Sequence, residues 1–251
     1  MSNVSVGIKS DIGSRKVQQD ATVAFREEEK DITVALLCDG MGGMQGGEQA
    51  SNLCVNMIYN DFYENETVKD YHQFLINEID KADIEVSCLT DLQGNTINAG
   101  TTFIAVIIIE NKLFWAGVGD SRLYIIRDGK ILQITKDHNY LMQLEEKVKR
   151  GEISMEEALN NKEKEALISY IGIKGIKYID SNINPFELMC GDCLILCSDG
   201  VYRSLNDENI KEIIMACEDD MEAGAKCLVE EAVGIGNPHQ DNTSVIAIKY
   251  L

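Results

Sequence analysis

The chain has 251 residues, 45% of them hydrophobic, with 23 basic against 42 acidic side chains and a formal net charge of −19. That length allows one large domain or two small ones, with apolar surface for a sizeable core. The charge argues against a nucleic-acid binder, which needs a basic face for phosphates; it fits a well-solvated protein or one that holds cations.

The opening stretch, MSNVSVGIKSDIG, is polar and alternating, with no apolar core of a signal peptide, so the chain is expected to be cytoplasmic. VSVGI, ATVAF and ITVALLC read as three early strands. Ala50, Leu53, Cys54, Met57 and Ile58 then recur at helical spacing, and a second helix carries Leu75, Ile79, Ala82, Val86 and Leu89. Four strands follow, TTFIAVIII, KLFWAGVG, SRLYIIR and GKILQIT, the last two joined by RDGK, a hairpin turn signal. FIAVIII is the longest kind of apolar run here, far short of a membrane span. Residues 137–165 are highly charged and predict two short helices. GIKYIDSNI and DCLILCSD read as strands, residues 207–217 and 219–233 as helices, and TSVIAIKY as a final strand.

Only two prolines occur, and no linker or repeat stands out, so one domain over 1–251 is expected. Runs of strands interrupted by helix pairs argue for an α+β fold: a β-sandwich of two antiparallel sheets with flanking helices. The eight cysteines are expected to be reduced thiols. Cys190 and Cys193 form the one C-x-x-C. Zinc would need further ligands, and the chain has three histidines, so these cysteines read as small buried residues flanking a strand.

Five aspartates fall at strand ends. Asp39 ends ITVALLC, Asp120 follows KLFWAGVG, Asp199 follows DCLILCS, Asp241 precedes TSVIAIKY and Asp20 precedes ATVAF. Any one of them is accounted for as a turn residue. Five carboxylates brought together would repel and raise one another's pKa unless cations neutralised them. Oxygen-only ligands select hard ions, Mg²⁺ or Mn²⁺, and a pair of such ions suits attack on a phosphoester by an activated water. The glycines after Asp39 would let the backbone come close enough for a main-chain carbonyl to act as a ligand. Arg15, five residues before Asp20, could grip two phosphate oxygens, or form a surface ion pair.

In order, DIGSRKVQQD (11–20), DGMGG (39–43), GTT (100–102), VGDSR (118–122), SDG (198–200) and DNTS (241–244) resemble the metal-dependent protein phosphatases, the type 2C serine/threonine phosphatases in their bacterial form. The resemblance runs from Asp11 to Ser244. It implies a four-layer αββα sandwich with a small flap lobe, here roughly 137–175, and hydrolysis of phosphoserine and phosphothreonine by water bridging two Mn²⁺ or Mg²⁺ ions. By position, Asp39 would bridge both ions, the Gly40 carbonyl would be a ligand, and Asp199 and Asp241 would hold the first ion. Asp20 would lie near the ions, partly through water. Asp120 would hold a third, weaker ion, Arg15 would bind the substrate phosphate, and Asn242 would be structural support. Phosphorylated proteins, substrates of a serine/threonine kinase, are the implied partners, and a monomer engaged in signalling is expected, with neither nucleic acid nor membrane as partner.

The chain departs from the family pattern at three places. Gln18 stands where Asn is usual. Arg203, four residues past Asp199, stands where many members carry an aspartate that helps hold the third ion, which leaves that ion undecided. NNKEKEALISYIG replaces an H-P-x-x-N-like flap segment. Met41 follows Asp-Gly where some members have histidine, so the proton donor is open between a metal-bound water and His138, which reads first as a packing or hydrogen-bonding residue. A phosphatase-like binding module, a small-phosphoester hydrolase and a cation-buffering acidic protein stay open as other readings.

Overall fold

The computed structural model describes residues 4–42, 46–64 and 68–251. Gly43, the last residue of DGMGG, lies outside them. In chain order the elements are β1 (Val4–Asp11), β2 (Asp20–Glu27), β3 (Ile32–Gly42), α1 (Gly46–Glu64), α2 (Tyr71–Ser87), β4 (Ala99–Thr101), β5 (Phe103–Ile109), β6 (Lys112–Val118), β7 (Arg122–Arg127) and β8 (Lys130–Gln133). They continue with α3 (Tyr140–Lys149), α4 (Met155–Leu159), β9 (Asp180–Ser181), β10 (Phe186–Glu187), β11 (Cys193–Cys197), α5 (Asp199–Tyr202), α6 (Asp207–Ala216), α7 (Met221–Gly234) and β12 (Thr243–Tyr250).

One sheet has the order β1-β12-β11-β7-β8. The other has β10-β6-β5-β3-β2, with β4 on the end of β3 and β9 on β6. Strand alternation builds the layers, because successive side chains point to opposite faces. On β3, Ile32, Val34, Leu36 and Cys38 pack with Ala50, Cys54 and Ile58 of α1 and Leu75, Ile79, Ala82 and Val86 of α2. Ala35 and Leu37, the alternate positions, meet Leu194 and Leu196 of β11 and Ile246 and Ile248 of β12 between the sheets. Cys193, Ile195, Cys197, Val245 and Ala247 face the other way, onto Ile210 and Ile214 of α6 and Ala225 and Leu228 of α7. The result is the α+β, four-layer αββα sandwich that the pattern implies. Deleting a side chain from the central layer, such as Leu37→Ala, costs about 2–5 kcal/mol.

The parity has a functional consequence. Cys38 is buried on the helix side, so Asp39 emerges on the inter-sheet side. The two helices expected within 137–165 are α3 and α4, each with an N-cap side chain, Asn139 and Ser154, accepting from the backbone. The RDGK hairpin is present, with Asp128 and Gly129 both at positive φ and Arg127 paired with Lys130.

Four strand expectations need correction. β3 does not end at Asp39 but runs on to Gly42, where it pairs with β4. TTFIAVIII is interrupted at Thr102, whose N–H donates to the Asp39 carbonyl (2.8 Å) while its hydroxyl accepts from the Asp39 N–H (2.8 Å). That side chain takes a ladder position and splits the run into β4 and β5. GIKYIDSNI retains only Asp180–Ser181 as strand. There the Asn182 amide substitutes for backbone, accepting from Trp115 N–H (2.7 Å) and donating to the Leu113 carbonyl (2.8 Å). DCLILCSD narrows to Cys193–Cys197, because Ser198 caps the short helix α5, whose first residue is Asp199. All eight cysteines are free; Cys193 is buried, but Cys190 is exposed, since it lies in the turn before β11 rather than in the core. No helix among the described residues is long and apolar enough to cross a membrane.

Candidate active site

The C-terminal end of β3, the exit of β6, the start of α5 and the approach to β12 converge on one cleft of about 320 Å³. Of the residues expected in the site, Arg15, Asp39, Gly40, Asp120, Asp199 and Asp241 line it. Asp20 does not. It lies beneath, 7% exposed, opposite Asp39 across the β2–β3 pair, and its Oδ2 accepts from the Ser198 hydroxyl of the other sheet (2.8 Å).

Each aspartate is placed by local chemistry. Asp39 is held by Thr101 and Thr102. The Thr101 hydroxyl donates to its carbonyl (3.0 Å), and Thr102 bonds both its N–H and its carbonyl. Gly40 has no room for a side chain: a Cβ there would fall 2.3 Å from the Gly47 carbonyl oxygen and 2.6 Å from that of Gln19. Asp120 follows Gly119, which sits at φ +104, a region that favours glycine. His138 fixes this turn. Its Nδ1 accepts from Gly119 N–H (3.2 Å) and its own N–H donates to the Gly119 carbonyl (2.9 Å). His138 is 2% exposed, does not line the cleft, and burial lowers its pKa, so the ring is a neutral prop behind Asp120.

Asn242 staples the first loop to the last strand. Its Oδ1 accepts from Gln19 N–H (2.8 Å), and its Nδ2 donates to the Ile12 (3.0 Å) and Val17 (3.1 Å) carbonyls. The same loop brings Arg15 to Asp241, with 2.5 Å between Nη2 and Oδ2. Arg203 reaches back one turn to Asp199, its Nε 3.1 Å from Oδ2.

The carboxylates are electrostatically strained. Burial pushes Asp20 up to about 7, with Asp199 and Asp241 adding to the rise and the hydroxyls of Ser244 and Ser198 opposing it. Burial likewise lifts Asp120 to about 7, helped by Asp199 and Asp137 and opposed by Arg203. Asp39 is raised well above the usual range by burial and then by the charges of Asp20, Asp199, Asp120 and Asp241. Asp199 is raised by burial, against the pull of Arg203. Buried Oδ1 atoms of both Asp20 and Asp199 have no hydrogen-bond partner. Unpaired carboxylate oxygens crowded in this way match a hard divalent cation, which both neutralises and ligates them. As the side chains stand, no three described Asp, Glu, His or Cys groups are closed on a common point. Each arginine engages a single oxygen, Oδ2 of Asp199 for Arg203 and Oδ2 of Asp241 for Arg15, so the unpartnered Oδ1 of Asp199 is open to an ion while Arg203 stays in place.

Gln19, Met41, Gly42 and Thr102, which stand inside the quoted motifs without an assigned role, and Glu165, Leu167 and Arg203, which stand in no motif, complete the wall of the cleft. Arg203 was visible only as a departure from a pattern, and Glu165 and Leu167 as part of a charged segment. Ser198 and Ser244 flank the motif aspartates in SDG and DNTS, which is the signal that could have paired them with Asp20.

The protein phosphatase 2C family model matches residues 11–147. The chain is 28% identical over 229 residues to the serine/threonine phosphatase stp of Listeria monocytogenes, covering 89% of this chain and 86% of that protein. It is 30% identical over 210 residues to the serine/threonine protein phosphatase PstP of Mycobacterium tuberculosis, covering 84% of this chain and 39% of that longer protein. Among solved structures, the S. agalactiae serine/threonine phosphatase superposes with a TM-score of 0.85 at 26% identity, covering 99% of this chain and 100% of that one. The catalytic domain of PstP in complex with two manganese ions superposes at 0.79 and 27% identity, covering the whole of both chains.

Proposed function

The chain belongs to the protein phosphatase 2C family, and from that membership we infer that it is a metal-dependent serine/threonine phosphatase acting on phosphorylated proteins. The observation that carries this reading is the cleft: Asp39, Asp120, Asp199 and Asp241 with raised or crowded carboxyls, and Arg15 at its lip. Two Mn²⁺ or Mg²⁺ ions, once bound, supply the charge that lets these acids ionise together and that acidifies an attacking water. Asp39, the Gly40 carbonyl, Asp199 and Asp241 are the groups that would hold them. Asp20 would support Asp39 from below, and Asp120 stands at the edge for a weaker third ion, in competition with Arg203.

The other steps belong to side chains. Arg15, 55% exposed, leaves Asp241 and turns its guanidinium to two phosphoryl oxygens, where it stabilises the charge that grows in the transition state. Asn242 keeps the Arg15 loop fixed while it does so. No thiol lines the cleft among the described residues, which supports direct transfer to water over a cysteinyl intermediate. His138 is turned onto Gly119, which disfavours it as the proton donor.

The whole chain serves as one catalytic domain in this reading, and residues 137–175 act as a flap, because Glu165 and Leu167 from that segment reach the cleft wall. Every described residue of the cleft comes from one chain, and a monomer is proposed. Free thiols, buried and exposed alike, support a reducing cytoplasmic setting. A serine/threonine kinase would supply the phosphoprotein substrates of such a signalling enzyme. Turnover of a phosphothreonine peptide against a small phosphorylated metabolite tests the substrate class. The reading expects the peptide to be hydrolysed with the higher kcat/KM; a clear preference for the metabolite would replace it with the small-ester reading.

A further inference from the structure

Arg203 caps the C-terminal end of α5 and lines two adjoining hollows, the main cleft and a second of about 250 Å³ that opens beside α3. The other cations of the second hollow, Arg122 and Lys164, do not line the main cleft. Arg122 is held by both carboxylate oxygens of Asp137 (3.1 and 2.8 Å) and lies over the Tyr202 ring, 3.7 Å from its centre. Lys164 donates to the Leu159 carbonyl (3.0 Å). Arg203 is different. Its Nη2 approaches Glu165 Oε2 only to 3.4 Å, and the two side chains are 46% and 61% exposed. An ion pair that open to water contributes about 0–1 kcal/mol, so a second anion can replace Glu165 at little cost. Glu165 belongs to the charged segment beside the cleft, whereas Arg203 is anchored on the other side by Asp199.

We propose that Arg203 determines substrate preference by taking an anion carried next to the reacting phosphoresidue, a carboxylate or a second phosphate, with Glu165 as the internal anion that it displaces. Arg15 would grip the reacting phosphate and Arg203 its neighbour. The proposal rests on the phosphatase reading. The net charge of −19 would by itself favour basic peptides, so a preference for an acidic neighbour would report a local cation rather than the overall field.

The test uses the full chain loaded with Mn²⁺ and phosphothreonine peptides that differ at one flanking residue. The flanking residue is Asp, Ala, Lys or a non-hydrolysable phosphonate analogue of phosphoserine, placed on either side in turn. At one flank the acid-bearing peptide should exceed the alanine peptide in kcat/KM by about tenfold, mostly through KM, as one charge-assisted pair allows. The Asp and phosphonate arms show which anion is preferred. Arg203→Ala should bring the ratio to about one, Arg203→Glu should shift preference to the lysine peptide, and Glu165→Gln should raise the ratio above that of the unmodified protein. A ratio near one in the unmodified protein, or one that survives Arg203→Ala, overturns the proposal. Should Arg203 variants fail to fold, a Glu165→Gln ratio no higher than the original overturns it equally. Failure to hydrolyse any of the peptides would instead remove the phosphatase reading, and this proposal with it.

Discussion

Asp20 and Asp39 face each other directly across the antiparallel β2–β3 pair, both on the side that looks between the sheets. Opposite positions bring Cβ atoms to about 4.5–5.5 Å, where like charges destabilise a strand pair. Asp20 is buried and one of its oxygens has no partner. The pairing is therefore costly to the fold unless a proton or a cation intervenes. Asp20→Asn, which keeps an acceptor for the Ser198 hydroxyl, should raise the melting temperature of metal-free protein at pH 8 by several degrees, while weakening Mn²⁺ binding. Calorimetry on the two proteins measures both; a variant less stable than its parent without metal would show that the two acids are not in conflict.

The raised carboxyls also set a pH dependence. Asp20 and Asp120 titrate near 7 in the fold, against 3.8 in the unfolded chain. Between those values the unfolded state loses protons that the folded state keeps. Ionisation thus favours unfolding, and stability is lost as pH rises from about 4 through about 7. Metal-stripped protein should melt at least ~5 °C higher at pH 5.5 than at pH 8, since one kcal/mol moves the midpoint of a chain this size by about 2–4 °C. Mn²⁺ should remove the difference and bind more tightly at the higher pH, because ligation requires the ionised form. Equal melting temperatures without metal would count against buried, proton-holding acids.

Asn242 touches the Arg15 loop at three backbone points. Asn242→Ala would leave the Val17 carbonyl and the Gln19 N–H near the cleft without partners, while the Ile12 carbonyl keeps the Arg15 N–H (3.3 Å). The expected loss is about 2–6 kcal/mol in denaturant unfolding, at roughly 1–3 kcal/mol for each of the two groups left buried. KM for a phosphopeptide should rise as well, because Arg15 is no longer fixed. An unchanged KM would mean that the loop holds its shape without the staple.

His138 props Gly119 and does not reach the cleft. His138→Ala should cost about 1–3 kcal/mol of stability for the unsatisfied N–H, yet leave the shape of the pH–kcat profile intact. Loss of one limb of that profile in the variant would make His138 the proton donor after all.

Most of the architecture was legible because periodicity is local. ITVALLC alternates between a helix-facing and a sheet-facing set, and the spacings of Ala50, Cys54 and Ile58 and of Leu75, Ile79, Ala82 and Val86 name the helices that cover it. The aspartates were legible because each stands beside a turn, a glycine or the end of an apolar run, although β3 itself continues past Asp39 to Gly42. What escaped depends on side chains replacing backbone or on distant partners. Thr102 splits a strand by bonding Asp39, and Asn182 does the work of a ladder residue against Trp115. Asp20 looked like one more cleft residue, but its depth is set by Ser198 from the opposite sheet. The Arg203–Glu165 pair joins segments that no short-range pattern connects.

Asp39 and its neighbours are proposed to form a metal-dependent phosphate-hydrolysing centre. Its most direct test is phosphate release from a phosphothreonine peptide by metal-stripped protein as Mn²⁺ is added stepwise, alongside Asp39→Asn at matched metal occupancy. No release is expected without metal, saturating release as Mn²⁺ fills the site, and a loss of at least ~100-fold in kcat for the variant, of the order that removing one transition-state-stabilising group causes. Mn²⁺ bound by calorimetry with no peptide hydrolysed, or an Asp39→Asn variant as active as its parent, would contradict it.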